Sequence, residues 1–200
     1  MCRHATPVGV VLAGGASSRM GRDKALLGLS GSSLVERAAA KLAAVCYEVL
    51  LADGGRETLA GHRSVADHPA RGPAAGILGA AAAAPGASLL VLACDLPLVP
   101  VPLLELLAAA PPDVAWMVPR HAGRVEPLCA LYRPPALAAL AARVSRGDLA
   151  PHRLADGVEL AVRYLDGPEL AGLGDPHTLF LNVNRPDDLR RAEAHLARQR

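Results

Sequence analysis

The sequence predicts an α/β fold: a three-layer, Rossmann-like domain with a mostly parallel central sheet. Short apolar runs of strand length alternate with stretches of helical spacing along most of the chain. The run at 89–93 is apolar at every position, which is typical of a strand covered by helices on both faces. Turn-forming pairs such as Gly54-Gly55 and Pro85-Gly86 separate these segments.

The pattern of each segment predicts one element, and the elements follow in chain order. Strands are predicted where apolar and β-branched residues cluster, at 8–12, 48–52, 63–66, 89–93, 114–118, 128–132 and 160–165. Helices are predicted where apolar residues have helical spacing, at 33–44, 74–84, 102–109, 135–144 and 186–198. No linker with a sustained shift in composition divides the chain. We therefore expect one domain over residues 1–200.

The composition limits the classes of protein to consider. The 200 residues are 52% hydrophobic and only 2% aromatic, so Ala, Leu and Val must build the core. A net charge of +2, without a basic stripe, argues against a nucleic-acid partner. Pro85, Asp95 and Glu105 interrupt the longest apolar region, which argues against a membrane span. The four cysteines form no CxxC pair, and with no targeting signal visible we expect a cytoplasmic protein.

The segment after the first predicted strand, 12–24, reads Leu-Ala-Gly-Gly-Ala-Ser-Ser-Arg-Met-Gly-Arg-Asp-Lys. Glycines let backbone amides approach a phosphate chain, and Arg19 and Lys24 add positive charge. The spacing fits neither a Walker A loop nor a dinucleotide fingerprint. The alternative is a tight turn, but the segment is longer than such a turn requires. We interpret it as a phosphate-binding loop.

Two aspartates follow predicted strands at the carboxyl edge of the sheet, where ligands bind in folds of this class. Asp95 ends the fully apolar strand, and a rigid carboxylate there suits Mg²⁺. The alternative is that Asp95 caps the next helix or closes a turn with Pro97. Asp67 follows the strand predicted at 63–66, and by itself it could simply form a turn before Pro69. Asp53, followed by two glycines, is predicted to be a turn residue.

Four segments, in the same order, resemble the molybdenum cofactor guanylyltransferases of the nucleotidyltransferase superfamily. They are the glycine-rich segment 12–24, Gly-Pro-Ala-Ala-Gly-Ile at 72–77, Ala-Cys-Asp-Leu-Pro at 93–97, and Phe-Leu-Asn-Val-Asn-Arg-Pro-Asp-Asp-Leu at 180–189. The first is specific to the superfamily, and the Asn-Val-Asn segment narrows the resemblance to the family. Because these segments are spread from residue 12 to residue 189 in the same order, the resemblance covers nearly the whole chain.

The resemblance implies transfer of GMP from GTP to molybdenum-bound molybdopterin, with release of pyrophosphate. It implies catalytic roles for Arg19, Lys24 and Asp95, with Mg²⁺ on Asp95. It also implies a set of nucleotide-binding residues: Leu12, Ala13, Gly14, Gly15, Lys24, Asp67, Gly72, Gly76 and Asp95. Cofactor-accepting molybdoenzymes or their chaperones are possible partners. The chain departs from the family at Ala52, where a polar side chain usually meets the base, so a backbone group or Asp53 would have to replace that contact.

Three other functions remain open from the sequence. The first is a molybdopterin cytidylyltransferase, although that group more often has Ala where this chain has Gly14, whose missing Cβ leaves room for a purine. The second is a sugar-phosphate nucleotidyltransferase, for which no sugar-binding loop is recognisable. The third is a non-catalytic GTP-binding regulator, which would be expected to lose Lys24 or Asp95. The histidines show no zinc-ligand spacing.

Overall fold

The computed structural model describes residues 6–14, 24–156 and 159–198. Its strands are β1 (Val8–Leu12), β2 (Gly28–Leu29), β3 (Ser32–Ser33), β4 (Glu48–Ala52), β5 (Arg63–Val65), β6 (Leu89–Ala93), β7 (Trp116–His121), β8 (Arg124–Val125), β9 (Cys129–Tyr132) and β10 (Val162–Leu165). Its α-helices are α1 (Leu34–Ala43), α2 (Pro73–Ala83), α3 (Val101–Ala108), α4 (Pro134–Ser145), α5 (Pro168–Ala171), α6 (Pro176–Leu179) and α7 (Pro186–Ala197).

The central sheet has the strand order β10-β7-β9-β6-β1-β4-β5, and β8 pairs with β7. β1 is parallel to β4 and β6, β4 is parallel to β5, and β10 is parallel to β7. β9 alone on that path runs against both of its neighbours. The predicted α/β fold with a mostly parallel sheet is therefore confirmed. Because β9 is reversed, the carboxyl ends of β1, β4, β6 and β7 lie at one edge.

The core is built mainly from aliphatic side chains, as the composition predicts. β1 and β6 are buried at every position, which agrees with strands covered on both faces. Trp116 and Tyr132 are the largest fully buried side chains, and their ring centroids lie 5.9 Å apart. No helix in the described part of the chain is long and apolar enough to cross a membrane.

Helix α1 shows how local sequence fixes an element that supports the carboxyl edge. Ser33 is its N-cap, and a capping box with Glu36 begins the helix one residue later than predicted. Near its end, Lys41 donates hydrogen bonds to the carbonyl oxygens of Pro97 and Val99, each at 2.6 Å. These bonds tie α1 to the loop that follows β6. The hairpin of β2 and β3, which precedes α1, was not predicted because its strands have only two residues each.

Candidate active site

A lysine and three side-chain oxygens meet at the carboxyl edge of the sheet. Lys24 Nζ lies 2.7 Å from Asp95 Oδ2, 2.7 Å from Asn184 Oδ1 and 3.3 Å from Asn182 Oδ1. Their sequence positions are up to 160 residues apart. An ammonium group has three hydrogens, so these three acceptors use all of its donors. We call Asp95, Asn182 and Asn184 the acceptor triad.

Backbone hydrogen bonds hold the asparagine segment against the end of β6. Val183 N donates to Asp95 O at 2.8 Å, which leaves the side chains on either side of Val183 facing Lys24. The N–H groups of Asn184 and Arg185 donate to Asp188 Oδ2, at 3.0 and 2.9 Å, where α7 begins. The segment therefore has a fixed position between a strand end and a helix start. The sequence suggested its importance only through the family resemblance, and neither asparagine was predicted as a site residue.

Asp95 lies directly beyond β6, as the sequence predicts, and its side chain is 21% exposed. Oδ2 accepts the hydrogen bond from Lys24, but Oδ1 is buried and accepts none from the described residues. A buried carboxylate oxygen without a partner is costly, so it points to a missing cation or donor. Asp95 does not cap the next helix, because the N-cap of α3 is Pro100 and this helix start has no side-chain capping hydrogen bond from the described residues.

The acceptor triad also fits a magnesium-type ion in its chemistry. One carboxylate and two amide oxygens are hard oxygen donors, the kind that Mg²⁺ prefers. Among the described residues no group of three or more His, Cys, Asp and Glu could hold a metal, so nothing in that part of the chain suggests a zinc centre. The donor set thus favours a hard cation at Asp95.

The second predicted aspartate, Asp67, faces a surface lined by glycines. A Cβ on Gly54 would lie 3.5 Å from Asp67 Oδ2, one on Gly76 would lie 3.6 Å from Oδ1, and one on Gly14 would lie 3.7 Å from Oδ2. Desolvation by these walls raises the pKa of Asp67, although the nearby Arg56 opposes the shift. The carboxylate accepts no hydrogen bond within the described part of the chain, so it is not the turn residue of the alternative interpretation. It is available to a ligand.

Asp53 has the opposite environment. Its side chain accepts hydrogen bonds from the N–H groups of Gly55, Arg56 and Thr58 and from the Ser64 hydroxyl. Burial alone would raise the pKa of Asp53, but these hydrogen bonds outweigh it and lower the pKa. Both carboxylate oxygens are thus occupied within their own loop. Asp53 is a turn residue, as predicted, and does not replace the polar side chain missing at Ala52.

The start of the glycine-rich segment is fixed by the neighbouring strand. Leu12 and Ala13 are buried, and Ala13 N donates to Ala52 O at 3.0 Å. The Arg56 guanidinium donates to Ala13 O at 2.7 Å. Gly14 lies beside Ala52 O, where an added Cβ would be 3.4 Å away. Two predicted site residues, Gly15 and Arg19, lie outside the described residues.

The predicted Gly72 and Gly76 belong to the first turns of α2. Gly72 is the N-cap at φ +74°, a left-handed conformation that favours glycine. A Cβ on Gly76 would lie 3.1 Å from Leu12 Cδ2 and 3.2 Å from Ala52 Cβ. Close packing of α2 on the sheet therefore accounts for Gly76, and its contact with a nucleotide stays a prediction. The small size of Gly76 brings α2 up to Asp67.

A cluster of rings supports the asparagine segment from the β7 side. Phe180 stacks on His121 with centroids 5.1 Å apart, and His177 meets His121 edge-on at 5.5 Å. His121 Nε2 lies 3.0 Å from Glu126 Oε1. His121 could not be selected from the sequence, because β7 was predicted to end at residue 118. The strand continues to 121, which brings the imidazole to the same edge as Asp95.

The fold and the site together define an α/β nucleotidyltransferase-type domain, with a glycine-bordered edge, a lysine and a carboxylate where parallel strands end. A family model described as "MobA-like NTP transferase domain" matches residues 9–158. The chain belongs to this family, and the predicted nucleotidyltransferase is confirmed.

Relatives with curated names extend the match over nearly the whole chain. The probable molybdenum cofactor guanylyltransferase of Chloroflexus aggregans is 37% identical over 204 residues, covering 96% of each chain. The molybdenum cofactor guanylyltransferase of Cereibacter sphaeroides is 37% identical, covering 94% of this chain and 96% of the relative. The crystal structure of molybdopterin-guanine dinucleotide biosynthesis protein A from Archaeoglobus fulgidus superposes with a TM-score of 0.78 at 26% identity, covering 96% and 99%. The predicted family resemblance is confirmed.

Proposed function

We propose that this chain transfers GMP from GTP to molybdenum-bound molybdopterin, forming the guanine dinucleotide cofactor and pyrophosphate. The observation that carries the proposal is the meeting of Lys24 with Asp95 at the carboxyl edge, beside the glycine-rich segment. The names of the relatives support the guanylyl activity. They do not favour the cytidylyl or sugar-phosphate alternatives.

The site suits a reaction that needs charge control more than proton abstraction. The nucleophile is a terminal phosphate of molybdopterin, which is already anionic at neutral pH. The enzyme must therefore orient two polyanions in line and reduce their repulsion. His121 lies at the same edge of the sheet. Its Nε2 contacts Glu126, and its ring packs against His177 and Phe180.

Each residue of the candidate site would have a separate role in this reaction. Lys24, with Arg19 from the same loop, would neutralise negative charge that develops on the departing pyrophosphate. The backbone amides that follow Leu12 would hold the triphosphate, and Asp67 would bond to the ribose or base across the glycine-lined surface. Asp95 would hold Mg²⁺, with the amide oxygens of Asn182 and Asn184 as neutral oxygen donors close by. Bound there, the metal would supply charge neutralisation at the α-phosphate.

The proposed metal is Mg²⁺, and a protein of the same fold has been crystallised with another divalent cation, manganese. A crystal structure of Rv0371C from Mycobacterium tuberculosis in complex with manganese has the same fold, with a TM-score of 0.65 at 22% identity. That identity supports the fold alone. The argument for a divalent cation in this chain rests on Asp95 Oδ1, which has no partner in the described part of the chain, and on the oxygen donors around it.

The direct test is turnover. Purified protein with Mg²⁺, GTP and molybdenum-bound molybdopterin should release pyrophosphate and form the dinucleotide. Lys24→Ala should fold normally, because Lys24 lies outside the core, and should bind GTP more weakly than the parent. A protein that binds GTP without turnover would indicate the non-catalytic regulator instead. Turnover with CTP in place of GTP would indicate the cytidylyltransferase.

A further inference from the structure

Lys24 cannot hold a triphosphate in the arrangement described above. Its three donors are directed to Asp95 Oδ2, Asn184 Oδ1 and Asn182 Oδ1, and its side chain is only 17% exposed. A lysine that binds phosphate must present at least one N–H to it. The structure therefore shows Lys24 engaged with the acceptor triad and not free for a ligand.

The atoms that hold the ammonium are also the atoms that suit a divalent cation. Asp95 supplies the charged oxygen of the triad, and the two asparagines supply neutral oxygens at 2.7 and 3.3 Å from Nζ. Two cations cannot share one carboxylate at close range without strong repulsion. Lys24 and a metal ion at Asp95 therefore weaken each other's binding unless an anion arrives to offset their charges.

We propose that Lys24 is the resident cation of the metal site, and that the metal binds well only when a nucleoside triphosphate takes Lys24 away from the acceptor triad. The inference rests on the divalent-metal site of the proposed function. The ammonium neutralises the charge of Asp95 through Oδ2 in the nucleotide-free protein, while Oδ1 accepts no hydrogen bond from the described residues. The polyphosphate then becomes its new anionic partner, and the freed oxygens accept the metal.

This exchange makes metal and nucleotide binding mutually dependent. Metal alone must either displace the ammonium from the triad oxygens or bind beside it, and both place two positive charges close together. Triphosphate alone must break the hydrogen bonds of Lys24 to the triad and leave Asp95 without a cation. Together they exchange partners with little loss, so each tightens the binding of the other.

The test measures binding of Mn²⁺, as a spectroscopic substitute for Mg²⁺, in the absence of nucleotide. Lys24→Met removes the competing cation, and Mn²⁺ should then bind at least tenfold more tightly, about the ratio expected for a charge-assisted hydrogen bond. Arg163→Met is the matched control, since Arg163 also carries one positive charge but lies on β10, the far edge strand, where it pairs with Glu169 of α5. The control should bind Mn²⁺ like the parent.

The outcomes separate the exchange from the metal site itself. Unchanged or weaker Mn²⁺ binding by Lys24→Met, beside a parent that binds Mn²⁺ with GTP, would overturn the exchange and keep the site. Adding Asp95→Asn to Lys24→Met should abolish the gained affinity. If the gain survives, the metal lies elsewhere and both proposals fail at Asp95.

A second measurement needs no variant. The chain has only two lysines, Lys24 and Lys41, so their side-chain NMR signals can be assigned with ease. Without ligand, both ammonium groups should be hydrogen-bonded and slow to exchange. Mg²⁺ with a non-hydrolysable GTP analogue should move the Lys24 signal strongly and that of Lys41 little. A Lys24 signal that shows free rotation before ligand is added would contradict the proposal.

Discussion

Three aspartates that follow strands of one sheet differ in how their carboxylates are used. Asp53 is 1% exposed, and its own loop provides hydrogen bonds to both of its oxygens. Asp67 faces a glycine-lined surface without a hydrogen bond from the described residues. Asp95 has one oxygen that accepts a hydrogen bond from Lys24 and one that accepts none from the described residues. Position at a strand end alone therefore does not select a candidate ligand-binding carboxylate, whereas an oxygen without a hydrogen bond from the protein does.

Asp95→Asn should separate catalysis from folding. The amide keeps the shape and the hydrogen bond to Lys24 but loses the charge that would hold Mg²⁺. We expect guanylyl transfer to fall by ~10²-fold or more, the scale seen when a key electrostatic stabiliser is removed. Excess Mg²⁺ should recover part of the activity, and the free energy of unfolding should change little. Rates with Mg²⁺ titrated, beside denaturant unfolding, measure both.

The control for that experiment is Asp113→Asn, which removes one negative charge from an exposed position. It should leave both transfer and Mg²⁺ dependence as in the parent. Near-parental transfer by Asp95→Asn at ordinary Mg²⁺ would remove Asp95 from the mechanism.

At the same scale, the partly buried Lys41 should make the protein more stable as the pH rises above neutral. Burial, with repulsion from Arg37, lowers the pKa of Lys41 to about 8 from an ordinary value of 10.5. Between these values the unfolded chain binds more protons than the native protein, so stability rises with pH. Relative to Lys41→Met, the parent should gain about 2 kcal/mol in unfolding free energy from pH 7 to 9.5. Urea titrations at several pH values measure the difference.

In that comparison the variant corrects for the other groups that titrate in the same range. If the difference between parent and Lys41→Met stays constant with pH, Lys41 keeps its ordinary pKa in the folded protein, and its hydrogen bonds to Pro97 and Val99 do not involve a desolvated ammonium.

At the scale of elements, the position of α2 depends on a glycine that lets the helix pack directly on the backbone beyond β5. A Cβ on Gly79 would lie 2.2 Å from Ala66 O and 3.3 Å from Asp67 Cα, so the helix packs directly on backbone. The N–H of His68 also donates to Ala75 O at 3.0 Å, joining the segment after β5 to the helix. The position of Asp67 thus depends on how closely α2 approaches.

Gly79→Ala should therefore destabilise the protein, although alanine is the better helix former by about 1 kcal/mol. The clash is with backbone, which cannot move aside as a side chain can. Overpacking of this kind costs roughly 1–3 kcal/mol, and GTP affinity should fall because Asp67 is displaced. Denaturant unfolding and GTP titration test the two effects.

Gly28→Ala provides the comparison for Gly79→Ala. A Cβ at Gly28 meets nothing within 4 Å, and its φ is not in the left-handed region, so that variant should be close to neutral. A Gly79→Ala protein as stable as Gly28→Ala would mean that α2 is free to shift away from the strand.

The elements were predictable where one pattern, either a periodicity or an unbroken apolar run, covered a whole segment. β1 and β6 have the predicted bounds because burial on both faces makes every residue apolar. The reversed direction of β9 was not predictable, because an apolar run reads the same in either direction. The helices α5 and α6 were missed because each has four residues and no repeating pattern.

The site was predictable only in part, for a physical reason. Gly14, Lys24, Asp67 and Asp95 could be selected because each directly borders a predicted strand or carries charge in a glycine-rich loop. Asn182 and Asn184 follow no strand, and their contact with Lys24 depends on tertiary packing across 160 residues. They are positioned by the hydrogen bond from Val183 N to Asp95 O. This is a backbone contact, so the identities of the side chains do not reveal it.

At the scale of the molecule, the site joins the two ends of the described chain. Lys24 near the amino end meets Asn184 near the carboxyl end, and α7 begins directly after that contact. The family model ends at residue 158 and so omits the asparagines, whereas the Chloroflexus aggregans relative covers 96% of the chain. The carboxyl-terminal segment is thus part of the site and not an appendage.

The last prediction concerns which nucleotide the whole molecule selects. GTP with Mg²⁺ should raise the melting temperature more than CTP or ATP with Mg²⁺, because the named relatives are guanylyltransferases and Gly14 puts no Cβ into the space beside Ala52 and Asp67, where we propose that the purine binds. At a hundredfold excess over Kd, binding adds about 2.7 kcal/mol of stability. For a chain of this size that corresponds to a shift of roughly 5–10 °C.

Gly14→Ala tests the structural reason for that preference. The added Cβ would lie 3.4 Å from Ala52 O, an ordinary contact that the fold can accept, while it narrows the space beside Asp67. The shift produced by GTP should therefore shrink more than the shift produced by CTP, with the ligand-free melting temperature nearly unchanged. If the parent is stabilised equally or more by CTP, the guanylyl assignment is wrong. If GTP is preferred but Gly14→Ala reduces both shifts alike, the preference for guanine arises elsewhere than at Gly14.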